Sequence, residues 1–312
     1  MADVLRRLRR AATQFAIRQT IAITGTLPTG LQRSIVRSLV ALAGSVPMLR
    51  RRVRTNMRLA LGDNVPSQAE HMYFRNVAWF LSNAVNAFHR GFAETSLAQS
   101  ITFDESVLAF DEAVAEGRGV VIVAPHWIGH ELIAAAINLR HPLVLLVRDA
   151  PTPERAARKL KWYRALGAEL VLRPHQAPTV DDALAYLRVL RQGKTLAITP
   201  DLLADAEQGI ATSIFGRPAR IHGGAFLLAI SARAPMIRVS GHWQPEIGVR
   251  LRFERAPHPG TANRDAAVRV AVQDWCRWFE DKLRLHPDYW LFWLDKRWSR
   301  FLRTTPRAPG AE

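Results

Sequence analysis

Between residues 119 and 199 the chain alternates unbroken apolar runs with longer stretches whose apolar positions recur every three or four residues. The runs lie within Gly119 to Ala124, Pro142 to Val147, Glu169 to Leu172 and Thr195 to Thr199. With no polar position alternating into them, they read as strands covered on both faces, the pattern of a parallel sheet. The intervening stretches, Leu132 to Ile137, Glu154 to Leu166 and Val180 to Arg191, read as helices, the last two stopped by Gly167 and Gly193. Farther on, the pattern predicts a helix over Ala225 to Ser231, strands over Pro235 to Ser240 and Val249 to Phe253, and a long helix from Asn263 to Leu285. Strands taking turns with helices predict an α/β fold: a mainly parallel central sheet flanked by helices.

Upstream, Arg50 to Gly62 has the form of a basic helix with a glycine stop, and Leu108 to Glu116 that of a helix ended by Gly117. Between them, Ser67 and Glu70 have capping-box spacing, and the helix they would open runs through Trp79, Phe80 and Leu81 to Phe88, an aromatic stripe that reads as core. Residues 1–49 mix short apolar stretches with arginine. None reaches the roughly 18–20 residues a membrane span needs, and Arg18 and Pro28-Thr29-Gly30 interrupt the best window. This segment is expected to lie on a membrane as basic amphipathic helix; an ordinary helical pair packed on the core is the alternative. Residues 50–302 then form one α/β domain, and the polar, proline-containing residues 303–312 a disordered tail.

Charge changes the picture more than composition does. Hydrophobic residues are 48% of the 312, enough for a substantial core, and one cysteine, Cys276, rules out an intramolecular disulfide and any cysteine-based zinc cluster. Lys and Arg exceed Asp and Glu by 43 to 27, and up to residue 60 the only acid is Asp3. A cationic amino-terminal surface attracts anionic lipid, an acidic protein or nucleic acid. Nucleic acid is set aside, because no zinc-finger spacing, aromatic RNA-binding signature or recognition helix accompanies the charge.

The candidate chemistry lies where the first sheet strand stops. Pro125 ends the run, His126 follows, and Glu131 opens the next helix, beyond the carboxyl end of a strand where α/β proteins bind ligands. A neutral imidazole can take a proton from a hydroxyl or amine while a carboxylate fixes its tautomer, so the pair reads as a general base and its orienter. On spacing alone the other reading stands equal: His126 bonds a backbone group and Glu131 favours the positive end of a helix. His130 is a second candidate base.

Several blocks in order resemble the bacterial late lipid A (Kdo-linked) and mannoside acyltransferase branch of the lysophospholipid acyltransferase superfamily. They are the H-x-x-x-x-E form of His126 to Glu131; Arg54-Thr55-Asn56-Met57-Arg58; Arg148 after the second strand; Pro200-Asp201 after the fourth; Phe215-Gly216-Arg217-Pro218; and His286-Pro287-Asp288-Tyr289-Trp290 with Trp293, Arg297 and Trp298. The resemblance spans roughly residues 35 to 300. Leu202 after Asp201, Tyr289 before the first of these tryptophans and Asp295 ahead of Arg297-Trp298 depart from the branch's usual residues, and these changes bear on substrate identity.

The resemblance implies acyl transfer from an acyl thioester, on acyl carrier protein or coenzyme A, to a hydroxyl or amine of a membrane lipid or glycolipid, at the cytoplasmic face of a bacterial inner membrane. It implies catalysis by His126 oriented by Glu131, with no metal and no cofactor beyond the thioester co-substrate. Arg148, Asp201 and Arg217 are the candidate substrate-binding residues. Backbone N–H groups over Trp127 to His130, or a nearby arginine, would face the tetrahedral oxygen, and Trp290, Trp293 and Trp298 would lie at a membrane interface or in the core. A catalytically inactive lipid- or carrier-binding protein of the same fold is the alternative function.

Overall fold

A computed structural model of the chain describes residues 24–174, 179–205, 209–244, 248–261 and 263–307; the expectations for residues 1–23 and 308–312 lie outside them. The order is α1 (Thr29–Ser45), α2 (Pro47–Leu61), α3 (Ala69–Arg90), α4 (Leu97–Ser100), β1 (Ile101–Phe103), α5 (Val107–Ala115), β2 (Val120–Val123), α6 (His130–Arg140), β3 (Leu143–Arg148), α7 (Pro153–Ala165), β4 (Glu169–Arg173), α8 (Val180–Arg191), β5 (Thr195–Ile198), β6 (Ile210–Ile214), β7 (Arg217–Ile221), α9 (Gly224–Ala232), β8 (Met236–Gln244), β9 (Gly248–Arg255), α10 (Arg264–Leu285) and α11 (Lys296–Thr304), with two 3-10 turns before the last helix.

Seven strands form one sheet in the order β1-β9-β8-β2-β5-β3-β4, and every neighbouring pair is parallel except β8 with β9. All four residues of β2 are buried, as expected of a central strand with helices on both faces. The predicted elements from β2 to α10 are present with small shifts at their ends. The short edge strand β1 and the antiparallel hairpin β6–β7 were not predicted. Three residues are too few to carry a period, and β7 reads Arg-Pro-Ala-Arg-Ile, too polar for the buried-strand pattern.

One helix start and one helix end depart from expectation. The expected capping box does not form: α3 begins at Ala69, Ser67 makes no cap, and Glu70 is buried, bound instead by Arg50 (2.9 Å) and Arg54. Pulling the Glu70 carboxylate from water favours its neutral acid, but hydrogen bonds and charge from the two arginines win and hold it below its ordinary value. Residues 303 and 304 belong to α11 rather than to a tail.

The α2 segment that carries the arginine-and-asparagine block holds down the carboxy-terminal aromatics. Buried Asn56 donates Nδ2 to the Trp293 carbonyl (2.7 Å) and to Ser299 Oγ (2.8 Å). Trp290, Trp293 and Trp298 are all but fully buried, with Trp290 edge-on to the other two at 4.8 and 5.0 Å between ring centroids. They are core, not interface. Each such ring removes about 150–250 Å² from water, so this cluster anchors the chain end on the sheet.

Helix α1 packs on α3 through Gln32, Val36 and Val40, yet Leu31, Ile35, Leu39 and Leu42 point outward, 36–67% exposed. Among the described residues no helix is long and apolar enough to cross a membrane.

Candidate active site

Strands β2 and β5 are parallel neighbours with Val123 opposite Ile198. Each is followed by one residue, a proline, and then an ionisable side chain: Ala124-Pro125-His126 and Thr199-Pro200-Asp201. Neither proline can extend the ladder, and because the two overhangs are equally long, their third residues stay opposite one another. His126 Nδ1 is 2.6 Å from Asp201 Oδ1, and His126 N donates to Asp201 Oδ2 at 2.8 Å. The carboxylate that meets His126 is therefore Asp201, not Glu131.

Asp201 is sealed from solvent, whereas the His126 side chain is 17% exposed. Burial alone would raise the carboxyl's pKa. The His126 imidazole and hydrogen bonds from His126 and from Trp290 Nε1 (2.8 Å) outweigh it and keep the group below its ordinary value. Trp298 Nε1 adds a bond to the Asp201 carbonyl (3.1 Å). Being ionised, Asp201 can only accept, so in the neutral imidazole the hydrogen lies on Nδ1 and Nε2 is the accepting nitrogen. Thr199 Oγ1 lies 3.3 Å from Nε2. The histidine's backbone is fixed as well: its carbonyl accepts from Leu291 N (3.0 Å), and Ile128 N donates to the Tyr289 carbonyl (2.8 Å).

Glu131 lies in the first turn of α6, after Gly129, whose φ of 84° is the left-handed backbone that glycine supplies without strain. Its carboxylate accepts from the Tyr163 hydroxyl (3.0 Å). Burial, then the Glu131 charge, pushes the Tyr163 phenol's pKa up, so it stays a donor. His130 donates Nδ1 to the Trp127 carbonyl (3.2 Å); burial and then the neighbouring His126 lower its pKa to about 4. It is neutral near pH 7, beside His126 but without a carboxylate partner of its own.

His126, His130 and Glu131 line a cavity of about 370 Å³ that runs between α6 and the sheet. Ile133, Ala134 and Ile137 from α6 and Leu143, Leu145 and Val147 from β3 give it apolar walls, while Arg148, Lys159 and Arg173 bring positive charge. Arg148 and Arg173 are register partners on β3 and β4. Arg173 has its pKa lowered by burial and by Arg148, the signature of cations that share a site. Among the described residues no group of three or more His, Cys, Asp or Glu side chains is placed to hold a metal ion.

Of the residues singled out in the sequence, His126, Glu131 and Arg148 line this cavity and Asp201 lies directly behind it. Arg217 does not join them. It is buried at the start of β7 and spends its guanidinium on the carbonyls of Thr305 (2.9 Å), Leu59 (2.8 Å) and Phe215 (3.0 Å). Three of the four N–H groups expected to face an oxyanion are also spent: Trp127 on the Pro125 carbonyl, Ile128 on Tyr289 and His130 on Trp127. Sequence reading missed Tyr163, Lys159, Arg173 and the roles of Trp290 and Trp298. No local pattern marked them, whereas the matched Pro-His and Pro-Asp at two strand ends was a signal that His126 and Asp201 meet.

The sequence model of the family described as bacterial lipid A biosynthesis acyltransferase matches residues 2–300. No curated protein matches the chain.

Proposed function

The chain belongs to the bacterial lipid A biosynthesis acyltransferase family and is an acyltransferase; from that premise we propose that it moves a fatty acyl group from an acyl thioester to a hydroxyl or amine of a lipid A-like membrane lipid or glycolipid, with His126 as general base and Asp201 as its orienter. The observation that carries this reading is the 2.6 Å contact between His126 Nδ1 and Asp201 Oδ1, which leaves Nε2 as the accepting nitrogen on a residue that lines a lipid-sized apolar cavity.

The acceptor's hydroxyl or amine attacks the thioester carbonyl as its proton passes to Nε2. Asp201 stabilises the imidazolium and stays ionised. The tetrahedral intermediate then expels the thiolate, the C–S bond breaks, and the imidazolium returns the proton to sulfur. No acyl-enzyme forms. Arg148, Arg173 and Lys159 supply the positive charge that favours the oxyanion and any phosphate on donor or acceptor. Glu131, held by Tyr163, accepts a hydrogen bond from a polar group of the acceptor.

The donor's acyl chain lies along Ile133, Ala134 and Ile137, under α6. The thioester comes on acyl carrier protein or coenzyme A. The protein works at the cytoplasmic face of the inner membrane, where the outward leucines of α1 rest on the lipid surface. No metal takes part in this scheme.

The test is purified protein incubated with palmitoyl-carrier protein, or palmitoyl-coenzyme A in a parallel reaction, and a bacterial membrane lipid extract, followed by mass spectrometry. One lipid species gains a palmitoyl mass with the wild type and none does with His126→Ala. An unchanged lipid profile with both donors would overturn the reading.

A further inference from the structure

A second groove, of about 500 Å³, opens between α3 and α7 on the other side of Glu131. Its apolar wall comes from Leu81, Ala84, Val85 and Phe88, spaced 0, 3, 4 and 7 along α3 and so on one face of that helix. Phe88 stacks on Trp162 of α7 with 6.3 Å between ring centroids. Leu81 is 38% exposed, a large apolar side chain left open to solvent within a continuous apolar trough. The opposite rim is cationic: Arg155, Arg158 and Lys159 line it, with Asp149 and Glu131 as its acids.

Three residues, Glu131, Lys159 and Tyr163, line both this groove and the cavity that holds His126. The Tyr163–Glu131 hydrogen bond is thus a partition between two lipid-sized apolar spaces, and the base lies in one of them. Acyl transfer between two amphiphiles needs this layout: each substrate brings a hydrocarbon chain, and only their polar ends have to meet. Helix α3 also carries α1, whose outward leucines face solvent.

Building on the proposed function, we infer that the α3–α7 groove holds a hydrocarbon chain of the anionic acceptor lipid, while the cavity under α6 holds the donor's acyl chain. The cations of α7 sit over the acceptor's negative headgroup, and Glu131 and Tyr163 present its nucleophilic end to His126. The donor's chain occupies the cavity under α6 beside His126, which leaves the groove to the second amphiphile, and an anionic one matches its apolar wall and basic rim together.

The experiment uses two diazirine-bearing photoprobes on the full chain in detergent micelles, lysophosphatidic acid as anionic acceptor mimic and palmitoyl-coenzyme A as donor. The lysophosphatidic acid probe is expected to label peptides covering residues 80–88 and 155–163, and the donor probe peptides covering 133–147. Ala84→Trp, which fills the trough, and Leu81→Asp, at an exposed position that folding tolerates, each cut lysophosphatidic acid labelling by about tenfold, the scale of about 1.4 kcal/mol of lost contact, and leave donor labelling unchanged. Labelling of the groove by the donor probe, or lysophosphatidic acid labelling unmoved by both variants, overturns the inference. Failure of the donor probe to label the cavity under α6 counts instead against the proposed function, so the two can fail separately.

Discussion

His126 and Asp201 are 75 residues apart in the chain and 2.6 Å apart in space, because each follows its strand by the same number of residues and the two strands are in register. The pairing gives the imidazole its carboxylate from the end of the neighbouring strand. Glu131, on the neighbouring helix, is left to Tyr163 and the second groove.

Different losses follow for the three acidic and basic groups. His126→Ala lowers kcat by about two to four orders of magnitude, and Asp201→Asn by a comparable amount, since an amide at that position can impose the wrong tautomer. Glu131→Gln acts mainly on the KM for the acceptor. Steady-state kinetics with donor and acceptor varied separately check this; equal kcat losses for Glu131→Gln and Asp201→Asn would return the orienting role to Glu131.

Stability falls with acid through His130. Its folded pKa of about 4 lies below the ordinary histidine value near 6.5, so below pH 6.5 the unfolded chain binds the extra proton and the native state does not. The native state therefore loses stability as pH drops from about 6.5 towards 4, by at most about 3 kcal/mol. In urea unfolding across that range, His130→Asn flattens the dependence relative to wild type.

Arg217→Ala removes the donor from three backbone carbonyls, on α2, in the β6–β7 turn and at the end of α11. Leaving them dry costs about 1–3 kcal/mol. A lower midpoint in thermal unfolding, with kcat per folded molecule unchanged at a temperature where both proteins are folded, is the expected outcome. A selective rise in a substrate's KM would assign Arg217 to the site after all.

Leu39→Ser with Leu42→Ser removes the two most exposed leucines from the outward face of α1. Binding to vesicles containing phosphatidylglycerol weakens by roughly one to two orders of magnitude, from about 1–3 kcal/mol of lost burial. Because neither side chain packs on α3, the melting temperature stays put.

Ala134→Phe fills part of the cavity under α6. Competition between lauroyl and palmitoyl thioesters is expected to shift towards the shorter chain, with an overpacking cost of about 1–3 kcal/mol in stability. An unchanged preference would take the donor's chain out of that cavity.

Local pattern determined a great deal of this protein. Unbroken apolar runs gave away the buried strands, glycines marked where helices stop, and a histidine just past a strand end pointed to the site, because each of these signals acts over a few residues and leaves its mark in the neighbouring sequence. Partnership across the fold left no such mark. His126 and Glu131 stand five apart and look like a pair, but a helix turn carries Glu131 toward Tyr163, while the register of β2 with β5 brings Asp201 to the imidazole. The buried tryptophans tell the same story: their composition suits a membrane interface, and only packing put Trp290 and Trp298 behind Asp201 as its hydrogen-bond donors. Register and packing are set by the whole sheet and its covering helices acting together, so tertiary structure alone decided which side chains meet.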